Sequence, residues 1–221
     1  MALKQLITEE CSPGRPVPQV RYADKTRDVT AAGATRWRRA LPVLLSPRLV
    51  IREVRMSDAA DLADMFADPD VSKYLSPCPP VAEAFREFVS WARRERQAGR
   101  YLCFVARERG TNALVGTFQM WRLEPSFETA EWGFGIARPY WGRGYFTETA
   151  DVLLGFVIRT LGVGRLEARI PLENTHGNEA MTRVGATREG ILRRCFRCNG
   201  DLLDYVMWAI FADEWTARRT S

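Results

Sequence analysis

The residues best suited to do chemistry lie in two neighbouring stretches, "AEWGFGI" at 130–136 and "WGRGY" at 141–145. If the first stretch is a strand, alternation puts Glu131 on the same face as Gly133 and Gly135, so a single carboxylate stands on an otherwise bare face. Glycines inside a strand commonly mark a bulge or a place where a ligand approaches the backbone. The carboxylate could act as a general base, or it could be an exposed glutamate paired with a nearby arginine.

The second stretch connects this strand to a predicted helix. Its two glycines, Gly142 and Gly144, allow consecutive backbone amides to turn toward one point, and the positive start of a helix favours an anion. A pyrophosphate group would suit such a loop. A G-x-G pattern alone is a weak signal, because an ordinary tight turn between a strand and a helix can also carry it.

The elements that must position these residues begin near Leu49. The helix over 57–68 is predicted to start at a Ser57 cap, and Gly99 and Gly162 are predicted to end two later helices. The patterns predict strands at 49–54, 101–108, 113–121, 128–137, 165–172, 187–196 and 201–211, and helices at 57–68, 82–99, 150–161 and 177–185, with the last two strands joined at Asn199-Gly200. The order β α α β β β α β α β β indicates a mixed α/β domain.

Charge and composition separate the chain into two parts. Up to Arg48 there are nine Lys and Arg against four Asp and Glu, and the rest of the chain is balanced, so the net charge of +5 comes from the first segment. We therefore predict a basic, partly irregular extension over 1–46 and one domain over 47–217. The basic extension could touch nucleic acid, but a solvated tail is the simpler interpretation, so we expect no nucleic-acid function.

Membrane and metal sites are not predicted. No run approaches the ~18 apolar residues that a membrane span needs, and no secretory signal opens the chain, so we expect a soluble cytoplasmic protein. "CFRC" at 195–198 has the spacing of zinc ligands, but the chain offers no second such pair and its only histidine is His176. We expect no metal there.

Three motifs in their order along the chain resemble the GNAT acetyltransferase superfamily, in its RimJ/RimL-like branch. They are "WGRGYFTETADVLLGFV", "PLENTHGNEAMTRVGATREGILR" and "DYVMWAIFADEW", and the resemblance covers about Pro47 to Trp215. It implies a central, mostly antiparallel mixed sheet flanked by helices, with a splayed pair of strands at the site of acetyl-CoA, the co-substrate. The expected partner is a primary amine acceptor. Whether the protein forms a homodimer stays open.

The resemblance also implies residues that bind the cofactor. Asn174 matches an asparagine that hydrogen-bonds the pantetheine arm, with a turn or helix cap as the alternative. Asn178 and Arg183 match positions near the cofactor, although either could be a solvated helix residue. The implied pyrophosphate loop consists of Trp141, Gly142, Arg143, Gly144 and Tyr145.

For catalysis, the resemblance places Glu131 where many relatives carry the carboxylate that takes the acceptor's proton. The proton donor to the leaving thiolate is less clear. Relatives often have a tyrosine where this chain has Met181, and this branch often has a serine where it has Gly177. His176 and Tyr205 could replace them by chemistry alone.

Taken together, the sequence predicts direct transfer of acetyl from acetyl-CoA to a primary amine. Backbone amides near Phe134 to Ile136 would polarise the acetyl carbonyl, and Glu131 would remove the proton. The acceptor is a protein N-terminal α-amine or a small-molecule amine, and an α-amine with pKa ~8 needs less help from a base than a lysine with pKa ~10.4. The alternative is a non-catalytic acyl-CoA-binding or regulatory module on the same fold.

Overall fold

The structure, a computed structural model, describes residues 36–74, 81–198 and 201–220. Its centre is an eight-stranded sheet in the order β1-β2-β3-β4-β5-β6-β8-β7, antiparallel throughout except between β5 and β6. The strands are β1 (Leu44–Leu45), β2 (Leu49–Glu53), β3 (Tyr101–Glu108), β4 (Leu114–Arg122), β5 (Thr129–Ile136), β6 (Arg165–Pro171), β7 (Thr187–Cys198) and β8 (Asp201–Phe211). The predicted mixed sheet is confirmed.

Helices flank the sheet. They are α1 (Ala59–Ala67), α2 (Pro69–Ser72), α3 (Ala82–Gln97), α4 (Tyr145–Phe156), α5 (Thr175–Arg183) and α6 (Ala212–Thr220). α4 continues as a π-helical turn over Val157–Leu161, and Gly162 ends it in the left-handed conformation. The sequence missed α2 and α6, and the predicted turn at Asn199-Gly200 lies outside the described residues. None of the helices in the described ranges is long and apolar enough to cross a bilayer.

The central strand β3 is buried on both of its faces. Leu102 and Phe104 face a large core that contains α4, whereas Cys103 and Val105 face a smaller core that contains α1 and α3. Alternate residues of β3 thus contribute to two different apolar cores, which is why the strand is an almost continuous apolar run. β5 is held from both sides by these layers.

The predicted Ser57 cap is wrong. A short 3-10 turn over Met56–Asp58 precedes α1, and Asp58 accepts a hydrogen bond from the backbone nitrogen of Arg55 at 2.7 Å. Asp58 is fully buried, and Arg52 and Arg107 also donate to its carboxylate. Ser57 lies inside this turn, so Asp58 is the N-cap residue of α1, and its carboxylate binds the two guanidinium groups instead of the first turn of the helix.

The last part of the predicted extension packs on the domain. Trp37 and Leu41 are buried in the large core, and the Trp37 ring meets Phe127 edge-on at 5.6 Å. The buried Arg96 on α3 donates to the backbone carbonyls of Trp37 and Arg38. The end of the predicted extension over 1–46 therefore docks on the domain through Trp37 and Leu41.

Candidate active site

The two central strands separate at one end. β5 and β6 pair only through Thr129, Ala130 and Glu131, whose Cα partners are Arg165, Leu166 and Glu167. β5 continues to Ile136 and β6 to Pro171 without further pairing to each other among the described residues. Their separation leaves a wedge-shaped opening with unpaired backbone groups along its sides, and a ligand can use such groups.

The backbone of β5 directs two amides into this opening. Ala137, just after β5, donates its N–H to the carbonyl of Val115 in β4 at 2.9 Å. Because backbone groups alternate between the two sides of a strand, the N–H groups of Ile136 and Phe134 point away from β4 and into the opening. These are the amides that the sequence assigned to the acetyl carbonyl.

The glycine loop lies directly after this strand. Gly142 and Gly144 have φ angles of 70° and 77°, a left-handed backbone that favours glycine. Gly144 is the N-cap of α4 and carries no side-chain oxygen, so no cap competes for the amides of the first turn. A Cβ added at Gly142 would meet nothing within 4 Å, so the loop has open space beside its backbone.

Side chains around the loop fix its position and supply positive charge. Trp141 turns back and donates its Nε1 to the carbonyl of Ile136 at 2.6 Å. The Arg143 guanidinium lies 5.4 Å from the centre of the Tyr145 ring, and the Tyr145 hydroxyl donates to Glu108 at 2.6 Å. The backbone donors, the helix start and Arg143 together suit a polyphosphate.

Glu131 lies at the point where β5 and β6 separate, and only 7% of its surface is exposed. Burial raises the pKa of Glu131 to about 7, although Arg169 opposes this shift, with its Nη1 at 3.4 Å from the Glu131 Oε2. The neighbouring Glu167 raises the pKa further, and a hydrogen bond from Trp121 lowers it. At neutral pH the carboxylate is therefore poised between its two protonation states.

The face around Glu131 is not bare, contrary to expectation. A Cβ at Gly133 would lie 3.6 Å from the ring of Trp121, and one at Gly135 would lie 3.5 Å from the ring of Phe66. Aromatic side chains from β4 and α1 thus lie over both glycines at ordinary van der Waals distance. Because the Trp121 side chain also contacts Glu131, its ring contributes to the burial that raises the pKa of the carboxylate.

α5 begins beside the opening, and its first residues make internal hydrogen bonds. Asn174 caps the helix, since its Oδ1 accepts from the Gly177 nitrogen at 2.9 Å. Asn178 donates to the Pro171 carbonyl at 2.9 Å and accepts from Trp208 Nε1 at 2.9 Å. Asn178 therefore ties the end of β6 to α5 and β8, and its contact with the cofactor stays a prediction.

The other predicted residues are placed differently. Arg183 is exposed and paired with Glu179 at 2.8 Å on the same helix face. His176 is exposed beside the loop, with its ring 5.5 Å from that of Trp141, whereas Tyr205 is buried on β8. Of the two substitutes for the missing proton donor, His176 is thus the one that contacts the loop.

Gly177 occupies the position where serine was expected, and the structure gives the reason. A Cβ there would lie 2.9 Å from Ile170 and 2.8 Å from the Asn174 amide, closer than real Cβ contacts. Met181 is completely buried in the large core. Neither position has room for a polar donor without repacking.

Sequence reasoning missed the residues that surround the opening. The strand period of "RLEARIP" places Arg169 on one face, but only the β5–β6 pairing brings that face to Glu131.

The segment at 70–74 also bridges the two separated strands. Arg138, after β5, forms an ion pair with Asp70, and Tyr74 donates to the carbonyl of Glu173, after β6, at 3.1 Å.

Comparison with known proteins identifies the family. The profile of the acetyltransferase (GNAT) domain matches residues 48–187. The chain belongs to the GNAT acetyltransferase family. It is an acetyltransferase that uses acetyl-CoA as its co-substrate, so the alternative of a non-catalytic module is not supported. The amides of Phe134 and Ile136, the open space at Gly142 and the uncapped start of α4 fit that co-substrate.

Individual relatives agree with this assignment. The chain is 27% identical over 179 residues to an uncharacterised N-acetyltransferase, p20, of Bacillus licheniformis, a match that covers 79% of this chain and 99% of the relative. It is 24% identical to a [ribosomal protein uS5]-alanine N-acetyltransferase of Escherichia coli, over 80% and 94% of the two chains. The fold matches that of Mycobacterium smegmatis RimJ, solved in complex with CoA-disulfide, with a TM-score of 0.69, 24% identity and coverage of 75% and 83%.

Proposed function

We propose that this acetyltransferase acetylates the N-terminal α-amine of a protein, with Glu131 as the group that takes the proton from the attacking amine. The observation that carries the proposal is the buried Glu131, whose pKa is about 7, at the point where β5 and β6 separate. Bound acetyl-CoA supplies the activated acetyl group. The protein's part is to bind both reactants, orient them and accept one proton.

The loop and β5 hold the co-substrate in this proposal. Amides from Gly142 to Tyr145 bind the pyrophosphate, with Arg143 adding positive charge, and the helix start of α4 favours the same anion. The Trp141 amide already donates to the Arg138 carbonyl. The amides of Phe134 and Ile136 bind the carbonyl of the acetyl group, where negative charge develops during attack. Apart from the Arg143 side chain, these donors are backbone groups, so the fold fixes them before the ligand binds.

The energetics of proton transfer favour an α-amine over a lysine. An α-ammonium has a pKa of ~8, so transfer to a carboxylate of pKa about 7 costs about 1.4 kcal/mol. A lysine ammonium with pKa ~10.4 would cost about 4.6 kcal/mol, and an unperturbed glutamate would add about 3.5 kcal/mol in either case. The burial of Glu131 therefore suits it to an α-amine at neutral pH.

Two further observations support this acceptor. The Escherichia coli relative is named for acetylating an alanine of a ribosomal protein. The Trp121 ring beside Glu131 and the Phe66 ring near Gly135 lie along the face of β5 that carries Glu131, and this apolar surface can receive the first side chain of a polypeptide.

A pair of peptides tests the proposal. One carries a free α-amine and no lysine, and the other has the same sequence except for a blocked N-terminus and one internal residue replaced by lysine. Release of free CoA at pH 7 should be faster with the first peptide by a factor of about 100, as a difference of about 3 kcal/mol in proton transfer requires. The difference in rate between the two peptides should become smaller as the pH approaches the lysine pKa of ~10.4. Equal rates at pH 7, or faster acetylation of lysine, would overturn the proposed acceptor.

A further inference from the structure

The glycine loop needs something to hold its conformation. Gly142 and Gly144 permit a left-handed backbone, but glycine also has the most conformational freedom to lose. A side chain from outside the loop binds the loop backbone. Arg48, in the turn between β1 and β2, donates its Nη1 to the Arg143 carbonyl at 3.0 Å. Its guanidinium also lies 4.0 Å from the centre of the Tyr145 ring.

Arg48 is itself fixed at a second point. Its Nε lies 2.6 Å from the Glu148 Oε2, and its backbone nitrogen donates to the Glu148 Oε1 at 2.9 Å. Ser46 donates its hydroxyl to the same Oε1 at 2.7 Å. Burial alone would raise the pKa of Glu148, but the hydrogen bonds from Ser46 and Arg48 outweigh it and lower the pKa. Glu148 lies in the first turn of α4, so Arg48 joins that turn to the middle of the loop.

An ordinary surface ion pair would not have this arrangement. Exposed pairs contribute about 0–1 kcal/mol, and the Arg48 side chain is 41% exposed. Here, however, two different nitrogens of one planar guanidinium bind two elements, a carboxylate on α4 and a carbonyl of the loop. A lysine ammonium is a point charge on a flexible stem and does not present donors in this fixed fork.

We infer that Arg48 is a positioning residue of the cofactor site, which holds the loop at 141–145 in the conformation that directs its amides toward the co-substrate. The inference rests on the proposed role of that loop. The turn between β1 and β2 thereby takes part in binding acetyl-CoA, although it precedes the glycine loop by almost a hundred residues.

Calorimetric titration of the full-length protein with CoA tests the inference. Arg48→Met should raise the Kd for CoA about three- to tenfold, the range for losing one ordering hydrogen bond. The KM for acetyl-CoA should rise similarly, with a smaller change in kcat. Arg86→Met is the matched control, because Arg86 is also an exposed arginine in an ion pair, with Glu83 on α3. It should leave the Kd unchanged.

A second variant separates geometry from charge. Arg48→Lys keeps the positive charge but loses the fork, so it should weaken CoA binding nearly as much as Arg48→Met. If Arg48→Lys binds CoA as the parent does, charge alone is at work and the positioning role is overturned. The same conclusion follows if Arg48→Met lowers the melting temperature but leaves the Kd within twofold of the parent.

Gly142→Val shows which hypothesis has failed. If this variant loses CoA binding while Arg48→Met keeps it, the loop binds the cofactor without help from Arg48, and only the present inference is wrong. If Gly142→Val also binds CoA normally, the loop is not the cofactor site, and the inference falls with the proposed role of the loop.

Discussion

The chemistry of Glu131 depends on its surroundings more than on its type. An isolated glutamate is ionised at neutral pH and is too weak a base for an ammonium group. Burial beside Trp121 raises its pKa to about 7, and Arg169 keeps the ionised form accessible. At neutral pH a large fraction of Glu131 is therefore ionised and able to accept a proton, and its raised pKa makes it a stronger base than an ordinary glutamate.

Replacing Glu131 by glutamine should lower kcat by a factor of ~100 or more, the usual effect of losing a positioned proton acceptor. CoA affinity should not change. The parent's rate should rise with pH through about 7 as Glu131 ionises, and the variant should lack that rise. The defect should shrink at high pH, because more of the amine is then neutral. A uniform loss at every pH with a higher KM for the acceptor would instead assign Glu131 to ammonium binding.

The same variant should be more stable than the parent above neutral pH. Because the pKa of Glu131 is raised in the folded state, the native protein binds its proton more tightly than the unfolded chain does between about pH 4.5 and 7. The parent's free energy of unfolding therefore falls as pH rises through this window, by up to about 3 kcal/mol from this group. Urea titrations at pH 4.5 and pH 8 should show a stabilising effect of Glu131→Gln only at pH 8. A destabilised variant at pH 8 would mean that the glutamate serves the fold.

At the scale of elements, the site is a junction between β5, the glycine loop and α4. In the proposal, β5 supplies two amides and the loop supplies the backbone amides of its left-handed turn, and α4 begins without a side-chain cap. Aromatic packing holds the parts together, since Phe134 on β5 lies 4.4 Å from Phe146 on α4 between ring centres. Rigid elements therefore place the donors, and little ordering remains to be done when the ligand binds.

Gly142→Val should raise the Kd for CoA about tenfold or more, because a branched side chain would fill the space beside the loop and resist its left-handed φ. Gly110→Val is a matched control. Gly110 has a φ of 91°, and a Cβ there would also meet nothing within 4 Å, but it lies in the turn between β3 and β4. Both variants should lose a similar 1–3 kcal/mol or so of stability from backbone strain. Calorimetry should show weaker binding only for Gly142→Val, and a similar loss in both would remove the special role of the loop.

Asn174 allows the cap to be separated from the predicted contact with the pantetheine arm. Asn174→Ala should cost about 1 kcal/mol of stability, because the Gly177 amide loses its acceptor. Asn174→Ser keeps a capping oxygen but has no amide donor. If the donor contacts the cofactor, the serine variant should keep the melting temperature and raise the KM for acetyl-CoA. Normal kinetics in the serine variant would leave Asn174 as a cap alone.

At the scale of the whole molecule, a segment before the family match completes the large core. The GNAT profile begins at residue 48, yet Trp37 and Leu41 are buried among the residues of β2, β3 and α4. Arg96 fastens this segment from the other side of the sheet through the carbonyls of Trp37 and Arg38. The same segment leads into β1 and on to Arg48, which binds the glycine loop. The packing of Trp37 and Leu41 therefore helps to fix the position of Arg48.

Trp37→Ala should destabilise the protein by about 3–5 kcal/mol, as expected for removing a buried aromatic side chain and leaving a cavity. Leu45→Ala is the control, since Leu45 lies in β1 of the same segment but is 61% exposed, and its loss should change stability by less than about 0.5 kcal/mol. Thermal unfolding measures both. Equal melting temperatures for Trp37→Ala and the parent would show that the segment does not belong to the folding unit.

The local features of the site could be predicted from the sequence because they depend on neighbouring residues. Strand alternation in 130–136 places Glu131 on the face of β5 away from the core-facing Trp132. The glycines at 142 and 144 indicate the turn that follows the strand. The same reasoning found the long strands and α1, α3, α4 and α5, whose apolar periods are clear. It missed α2, which has a single turn, and α6, where the apolar period is weak.

The tertiary structure decided everything that depends on pairing between distant segments. Arg169 reaches Glu131 only because β6 pairs with the start of β5 and then separates from it. Trp121 and Phe66 cover the face that the glycines left bare, and Arg48 holds a loop far along the chain. The sequence therefore determined which groups could do the chemistry. Their pKa, water exclusion and rigidity come from long-range packing, which no local pattern encodes.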